Sequence, residues 1–180
     1  LLREMPTGQD ASYTPDRLLA RYDELANTLG NLASRALSMI GKYREGVIPD
    51  APDGGLDEAT DRTLAAFGQA MESLRVNEAL GHAMELAREA NGYVETREPW
   101  AQAKDPARAA ELDETLATLA RSLLVLSALL LPVMPGRMTE LAGRLGVPEV
   151  PTLEESRRTL LAGSMVSKGL PLFPRIETEG

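Results

Sequence analysis

The chain of 180 residues is long enough for one well-packed domain, and its composition excludes several classes of protein. It contains no cysteine, which excludes disulfides, thiolate metal sites and cysteine nucleophiles. The net charge of −8 argues against broad adhesion to nucleic acid, although a small site that reads a few bases stays open. The longest apolar run, Leu123 to Leu131, is too short to cross a bilayer, and no signal peptide pattern opens the chain. We therefore expect a cytoplasmic protein without a membrane partner.

The first predicted element is a long helix. Residues 1–13 lack a helical pattern, and Thr14 and Pro15 then form a typical helix start, a capping side chain followed by proline. Apolar residues recur at steps of three and four for about six turns; they are Leu18, Tyr22, Leu25, Leu29, Leu32, Ala36 and Ile40. The pattern predicts a helix from residue 14 to about residue 46, in which Gly30 permits a close approach by another group.

The same spacing of apolar residues predicts four further helices. The composition also favours helices over strands, because Ala and Leu dominate and only 4% of residues are aromatic. They cover about 58–74, a segment capped by Asn77, a segment from Pro106 to Pro132, and 135–146. The second helix should turn Leu64, Phe67, Met71 and Leu74 inward. We predict an all-α fold, an antiparallel bundle of about five helices at 14–146. Residues 1–13 form a connector, and residues 147–180 form an irregular tail that packs on the bundle.

No pattern typical of an active site occurs in the sequence. His82 is the only histidine and has no neighbouring ligand or orienting partner. The glycine-rich motifs that bind phosphates or dinucleotides do not occur. We therefore predict no catalytic residue and no metal ligand in this chain.

Three side chains are instead suited to recognising nucleic acid bases. Asn31 and Arg35 lie four residues apart, on the helix face opposite the apolar one, and their amide and guanidinium groups match the edges of bases. Trp100 follows Pro99 at a break between helices, where an indole ring could stack on an unpaired base. The residues alone leave the alternatives open: Asn31 could bond a neighbouring segment, Arg35 could pair with an acid, and Trp100 could belong to the core.

Several stretches, in order, carry a resemblance to a known family. They are "LLREMPTGQDASYTPDRLLARYDELANTLGNLASR", "AREANGYVETREPWAQAKDP", "LLLPVMPGRMTELAGRLG" and "LFPRIE". Together they span nearly the whole chain and resemble the anticodon-binding domain of methionyl-tRNA synthetases, class I aminoacyl-tRNA synthetases, of the bacterial type.

The resemblance implies a function and a set of site residues. Asn31 and Arg35 would contact anticodon bases, Trp100 would stack on one, and Asn91, Tyr93 and Pro99 would support the turn that presents Trp100. The chain would recognise the methionine anticodon CAU as the C-terminal part of methionine–tRNA ligase, which charges tRNA(Met) with methionine. Its partners would be the anticodon loop of tRNA(Met) and an upstream catalytic domain of the same chain, with no DNA. ATP with Mg would bind the parent enzyme, and no cofactor would bind this segment.

Some features depart from the family's pattern. Its catalytic signatures, His-x-Gly-His and Lys-Met-Ser-Lys-Ser, do not occur, and "MVSKG" from Met165 to Gly169 is interpreted as a chance match to the second. Gly92 stands where the family more commonly has a larger residue. The stretch "RYDELANTLGN" is one residue shorter than the corresponding family sequence between the tyrosine and Leu-Ala-Asn. Two alternatives are retained: the anticodon bundle of another class I synthetase, and a helical protein-interaction module without tRNA binding.

Overall fold

The computed structural model describes residues 2–5, 14–174 and 176. In this part of the chain the α-helices are α1 Pro15–Leu25, α2 Asn31–Tyr43, α3 Asp57–Glu72, α4 Val76–Arg97, α5 Pro99–Gln102, α6 Ala109–Leu130, α7 Pro135–Arg144 and α8 Leu153–Ser156. Leu2–Glu4 and Pro106–Arg108 form short 3-10 helices. The predicted all-α fold is confirmed. Most of the predicted connector, residues 1 and 6–13, lies outside the described residues.

The first predicted helix is present, but it is not uniform. Its predicted start is confirmed, because the Thr14 hydroxyl accepts a hydrogen bond from the Arg17 amide and Pro15 is the first helical residue. A five-residue π-helical turn, Ala26–Gly30, joins α1 to α2, so that the two form one continuous rod. The apolar side chains are buried from Leu29 onward, whereas Leu18 is 38% exposed. Leu18 thus belongs to the predicted apolar series but is not buried. No residue of α1 is fully buried, although Tyr22 and Leu25 pack against the core.

Two details of the next helices also differ from prediction. The α4 helix begins at Val76, with Arg75 in the capping position, so Asn77 is not the cap. Leu74 is 69% exposed and has a φ of 57°, because α3 has ended at Glu72 and the chain reverses there. Asp53 stabilises the start of α3 in a way that was not predicted. Its Oδ2 atom accepts hydrogen bonds from the amide of Asp57, the first residue of α3, and from those of Gly55 and Leu56 just before it.

The α6 helix is the centre of the bundle. It packs against α2, α3, α4, α5, α7 and α8, and nearly all its residues from Thr115 onward are buried. Within this apolar helix, the hydroxyls of Ser122 and Ser127 donate to the carbonyls four residues earlier, which satisfies both buried groups. Among the described residues, no helix combines the length and the apolar character that crossing a membrane requires.

The described part of the C-terminal segment packs on the helices. Phe173 is buried against Gly30, where an added Cβ would lie 3.3 Å from the Phe173 ring, so the predicted close approach at Gly30 is confirmed. The Tyr22 hydroxyl donates to the Pro174 carbonyl at 2.7 Å. Earlier in this segment, Met165 pairs with Val47 in an isolated antiparallel bridge. The "MVSKG" stretch therefore lies against the loop that follows α2.

Candidate nucleic-acid interface

A polar groove lies between the rod formed by α1 and α2 and the second half of α4. Its volume is about 340 Å³, and its lining includes Asn31, Arg35, Arg88, Asn91 and Glu95. Asn31 and Arg35 project from the first turns of α2, one turn apart, as their spacing predicts. Asn31 is exposed at the rim, and Arg35 is half-buried.

Asn91 connects the two walls of this groove. Its Nδ2 atom donates to the Ala87 carbonyl in its own helix at 2.8 Å and to the Thr28 carbonyl in the π turn at 3.0 Å. Its Oδ1 atom accepts a hydrogen bond of 3.3 Å from the Asn31 amide. The side chain of Asn31 is thus oriented from across the groove, while its remaining amide groups face solvent. π turns of this kind are frequent at functional sites.

Arg35 lies between an acid and an aromatic ring. Its Nη1 atom is 2.7 Å from Glu95 Oε1, and its Cζ atom is 6.0 Å from the centre of the Trp100 ring. The Glu95 side chain is 62% exposed, so water screens this ion pair and its net contribution to stability is small. The guanidinium is therefore held in position by two partners that a ligand can replace at modest cost.

Trp100 projects from a sharp reversal of the chain. Glu98 has a φ of 48°, which ends α4, and Pro99 opens the short α5 helix. Pro99 is buried, whereas Trp100 is 37% exposed. Trp100 is therefore not a core residue, and part of its ring faces the same surface as Arg35.

Tyr93 lies away from this surface, although only one residue separates it from Asn91. Its ring contacts the Arg97 guanidinium, with 5.8 Å from Cζ to the ring centre. Its hydroxyl lies next to Gly54, where an added Cβ would come within 2.1 Å. Burial raises the pKa of the Tyr93 phenol. The structure thus brings together Asn31, Arg35, Asn91 and Trp100, with Pro99 beside Trp100, and it places Tyr93 against the loop before α3.

Known proteins similar to this chain are methionine–tRNA ligases. The enzyme of Bacillus subtilis (strain 168) is 35% identical over 189 residues, which cover 99% of this chain and 28% of that protein. Methionine–tRNA ligase 1 of Bacillus cereus is 37% identical over 192 residues, with 99% and 29% covered. The chain is homologous to one part of the methionine–tRNA ligases. The resemblance inferred from the sequence motifs is therefore confirmed, and the chain spans under a third of the length of these relatives.

Solved structures of methionyl-tRNA synthetase share the fold. The apo form of the Mycobacterium tuberculosis enzyme superposes with a TM-score of 0.91 at 28% identity, covering 99% of this chain and 38% of that chain. The same enzyme in complex with methionyl-adenylate gives a TM-score of 0.86, with 97% and 36% covered. No protein-family model matches the chain.

The sequence motifs of the methionine–tRNA ligases did not indicate the charged residues that surround the groove. Glu95 and Arg88 lie four residues after and three before Asn91, so helical periodicity could have placed them on the same face of α4. Arg88 forms ion pairs with Glu85 and, at 3.4 Å, with Glu24. Within the described residues, no group of His, Cys, Asp and Glu side chains is suited to hold a metal ion.

Proposed function

We propose that this chain is the anticodon-binding part of a methionine–tRNA ligase and that the polar groove reads anticodon bases. The main support for the proposal is that Asn31 and Arg35 of α2 and a partly exposed Trp100 of α5 lie on one surface. An amide, a guanidinium and an indole together can bond two base edges and stack on a base plane.

Each side chain has a distinct proposed role. The exposed Asn31 amide both donates and accepts, so it can match a base edge while Asn91 fixes its orientation. Arg35 offers a planar fork of donors, part of which faces away from Glu95. Trp100 offers a ring face to an unpaired base, and Pro99 restricts the backbone that presents it. Asn91 and Tyr93 would not contact the anticodon and would support the site by fixing the position of α4.

The whole protein's activity is part of the same proposal. The whole protein would charge tRNA(Met) with methionine in the cytoplasm, and a catalytic domain upstream of this chain would bind ATP and Mg. Residues 14–146 would form the anticodon-binding bundle, and residues 147–180 a tail packed on it. This segment would select and position the tRNA without making a bond.

An apolar depression supports the proposed neighbouring domain. It has a volume of about 340 Å³ and lies between the N-terminal 3-10 helix, α1, α4 and the end of α6. Its lining includes Leu2 and Leu18, which are 49% and 38% exposed. Exposed apolar surface of this kind is typical of contacts between proteins or domains.

The proposal is tested by titrating the chain with a stem-loop that carries the CAU anticodon and with stem-loops changed at each anticodon base. We expect weak binding that depends on the anticodon, because a net charge of −8 limits counterion release to a few contacts. Each mismatched base should weaken binding by about 1–3 kcal/mol. Equal affinity for all stem-loops would contradict the proposal. Tighter binding of a changed anticodon would favour another class I synthetase, and no binding to any stem-loop would favour the protein-interaction module.

A further inference from the structure

The polar face of α2 continues beyond the groove. Asn31, Arg35, Ser38 and Lys42 follow each other at steps of four, three and four, so they lie along one face of the helix. Lys42 is about 10 Å from Arg35 along the helix axis, given a rise of about 1.5 Å per residue. Ser38, within this line, and Ser34, beside it, add no charge. The same face therefore carries base-reading groups at one end and a cation at the other.

Lys42 belongs to a second depression with another lysine. This depression has a volume of about 480 Å³ and is formed by the end of α2 and by the tail around Met165. Lys168 lines it from the tail, and Glu45 is its one lining carboxylate. Both lysines are exposed, and the lining includes Gly41, beside which a Cβ would meet no other atom within 4 Å.

These lysines differ from most other cationic side chains of the chain because they form no ion pair with a carboxylate in the described residues. Within the described residues nearly every arginine forms an ion pair with a carboxylate, including Arg35 and Arg88 in the groove. Neither Lys42 nor Lys168 forms an ion pair with a carboxylate there, and the Lys42 ammonium lies 5.2 Å from the centre of the Tyr43 ring. An ammonium group that forms no ion pair with a carboxylate is available to bind an anion, and phosphate is an anion that it commonly binds.

We propose that Lys42 and Lys168 bind the phosphate backbone of the RNA strand whose bases enter the groove. This inference rests on the proposed anticodon recognition, because it places the strand along the face of α2. At about 3.4 Å per stacked nucleotide, the 10 Å from Arg35 to Lys42 corresponds to roughly three nucleotides. The contact orients the strand without reading its sequence.

A purely structural role for Lys42 makes a different prediction. A lysine in the last turn of a helix interacts favourably with the negative end of the helix dipole. In that case replacing Lys42 lowers the melting temperature slightly and leaves RNA binding unchanged. The two roles are separated by measuring binding as a function of salt.

The experiment compares Lys42→Gln, Lys168→Gln and the double variant in the 180-residue chain, with CAU and mismatched stem-loops as probes. The matched control is Arg158→Gln, which removes one positive charge from a side chain that is 77% exposed and paired with Glu154 on α8. Each lysine change should reduce the slope of log affinity against log salt by about one. The ratio of wild-type to variant affinity should then fall about threefold between roughly 50 and 200 mM salt, equally for both probes.

The outcomes separate this inference from the proposed function. Anticodon-dependent binding with an unchanged salt slope in both lysine variants would overturn the lysine contact and leave anticodon recognition in place. A slope that falls in the variants without any dependence on the anticodon would support the phosphate contact and overturn base reading. If the slope of log affinity against log salt falls equally in Arg158→Gln, the change reflects only the net charge of the chain, and the proposed site is overturned.

Discussion

The guanidinium of Arg35 lies 6.0 Å from the centre of the Trp100 ring, although the two residues belong to different helices. A base that stacks on Trp100 is therefore within reach of the donors of Arg35. Because the two residues would share one ligand, their contributions to binding should be coupled. Replacing both should cost less than the sum of the single losses, which a double-mutant cycle measures.

Arg35→Ala should weaken binding of the CAU stem-loop by about 1–3 kcal/mol and relax discrimination at one anticodon position. The fold should be little affected, because the ion pair that Arg35 forms with Glu95 is exposed to water and contributes at most about 1 kcal/mol. Calorimetry gives both quantities, the affinity by titration and the stability by thermal unfolding. A large fall in melting temperature with intact discrimination would make Arg35 a structural residue.

Trp100→Ala should cost about 1–3 kcal/mol of stem-loop affinity, with Trp100→Phe in between, because stacking depends on ring area. Since Trp100 is the only tryptophan, its fluorescence reports on this position alone. With 37% of the residue exposed, we expect an emission that iodide quenches and that the CAU stem-loop quenches further. Emission that responds to neither quencher would contradict the stacking role.

Asn31→Ala and Asn91→Ala should differ in their effect on stability. The Asn91 amide satisfies the carbonyls of Thr28 and Ala87, so its removal should cost about 1–2 kcal/mol of unfolding free energy and also weaken binding. Asn31 is exposed and bonds only Asn91, so its replacement should weaken binding alone. Urea denaturation of the two variants checks this contrast. Equal destabilisation would mean that the groove is not organised by Asn91.

Two glycines should respond in opposite ways to alanine. Gly92 lies on the exposed face of α4 with open space around it, so Gly92→Ala should stabilise the chain by roughly 0.5–1 kcal/mol through helix propensity. A Cβ at Gly54 would come within 2.1 Å of the Tyr93 hydroxyl, so Gly54→Ala should destabilise by about 1–3 kcal/mol. Melting temperatures of both variants provide the measurement. Tyr93→Phe in the Gly54→Ala background should recover part of the loss.

The ion pairs between α3 and Arg157 should make stability depend on pH in acid. The hydrogen bond from Arg157 lowers the pKa of Asp61 below its ordinary value. Because the folded pKa is the lower one, the contribution is complete above the unfolded value of about 3.9 and is lost as pH falls through the folded value. Asp61→Asn should remove this part of the acid dependence, by at most about 1 kcal/mol since the pair is exposed. Thermal unfolding between about pH 2 and pH 6 would show it, and an unchanged profile would assign the acid sensitivity to other carboxylates.

The helices were predictable to within a few residues because local rules govern them. The start of the first helix was predicted from the capping residue Thr14 and from Pro15. Its apolar face was predicted from the steps of three and four. The π turn at Ala26–Gly30 was not predicted, and its contacts with Asn91 and Phe173 involve distant parts of the chain that no local spacing rule describes. Leu74 was placed inward by periodicity, but the helix ended before it and the residue is exposed.

The candidate site also has features that the local sequence predicted and features that depend on tertiary contacts. The sequence determined that Asn31 and Arg35 share a helix face and that Trp100 follows a proline at a helix break, since both statements concern neighbours along the chain. Only the tertiary structure decided that α4 brings Asn91 to Asn31 and Glu95 to Arg35, and that Trp100 remains partly exposed. The physical reason is that burial and ion pairing depend on which helices pack together. That packing follows from the central apolar helix α6, whose neighbours no spacing rule specifies.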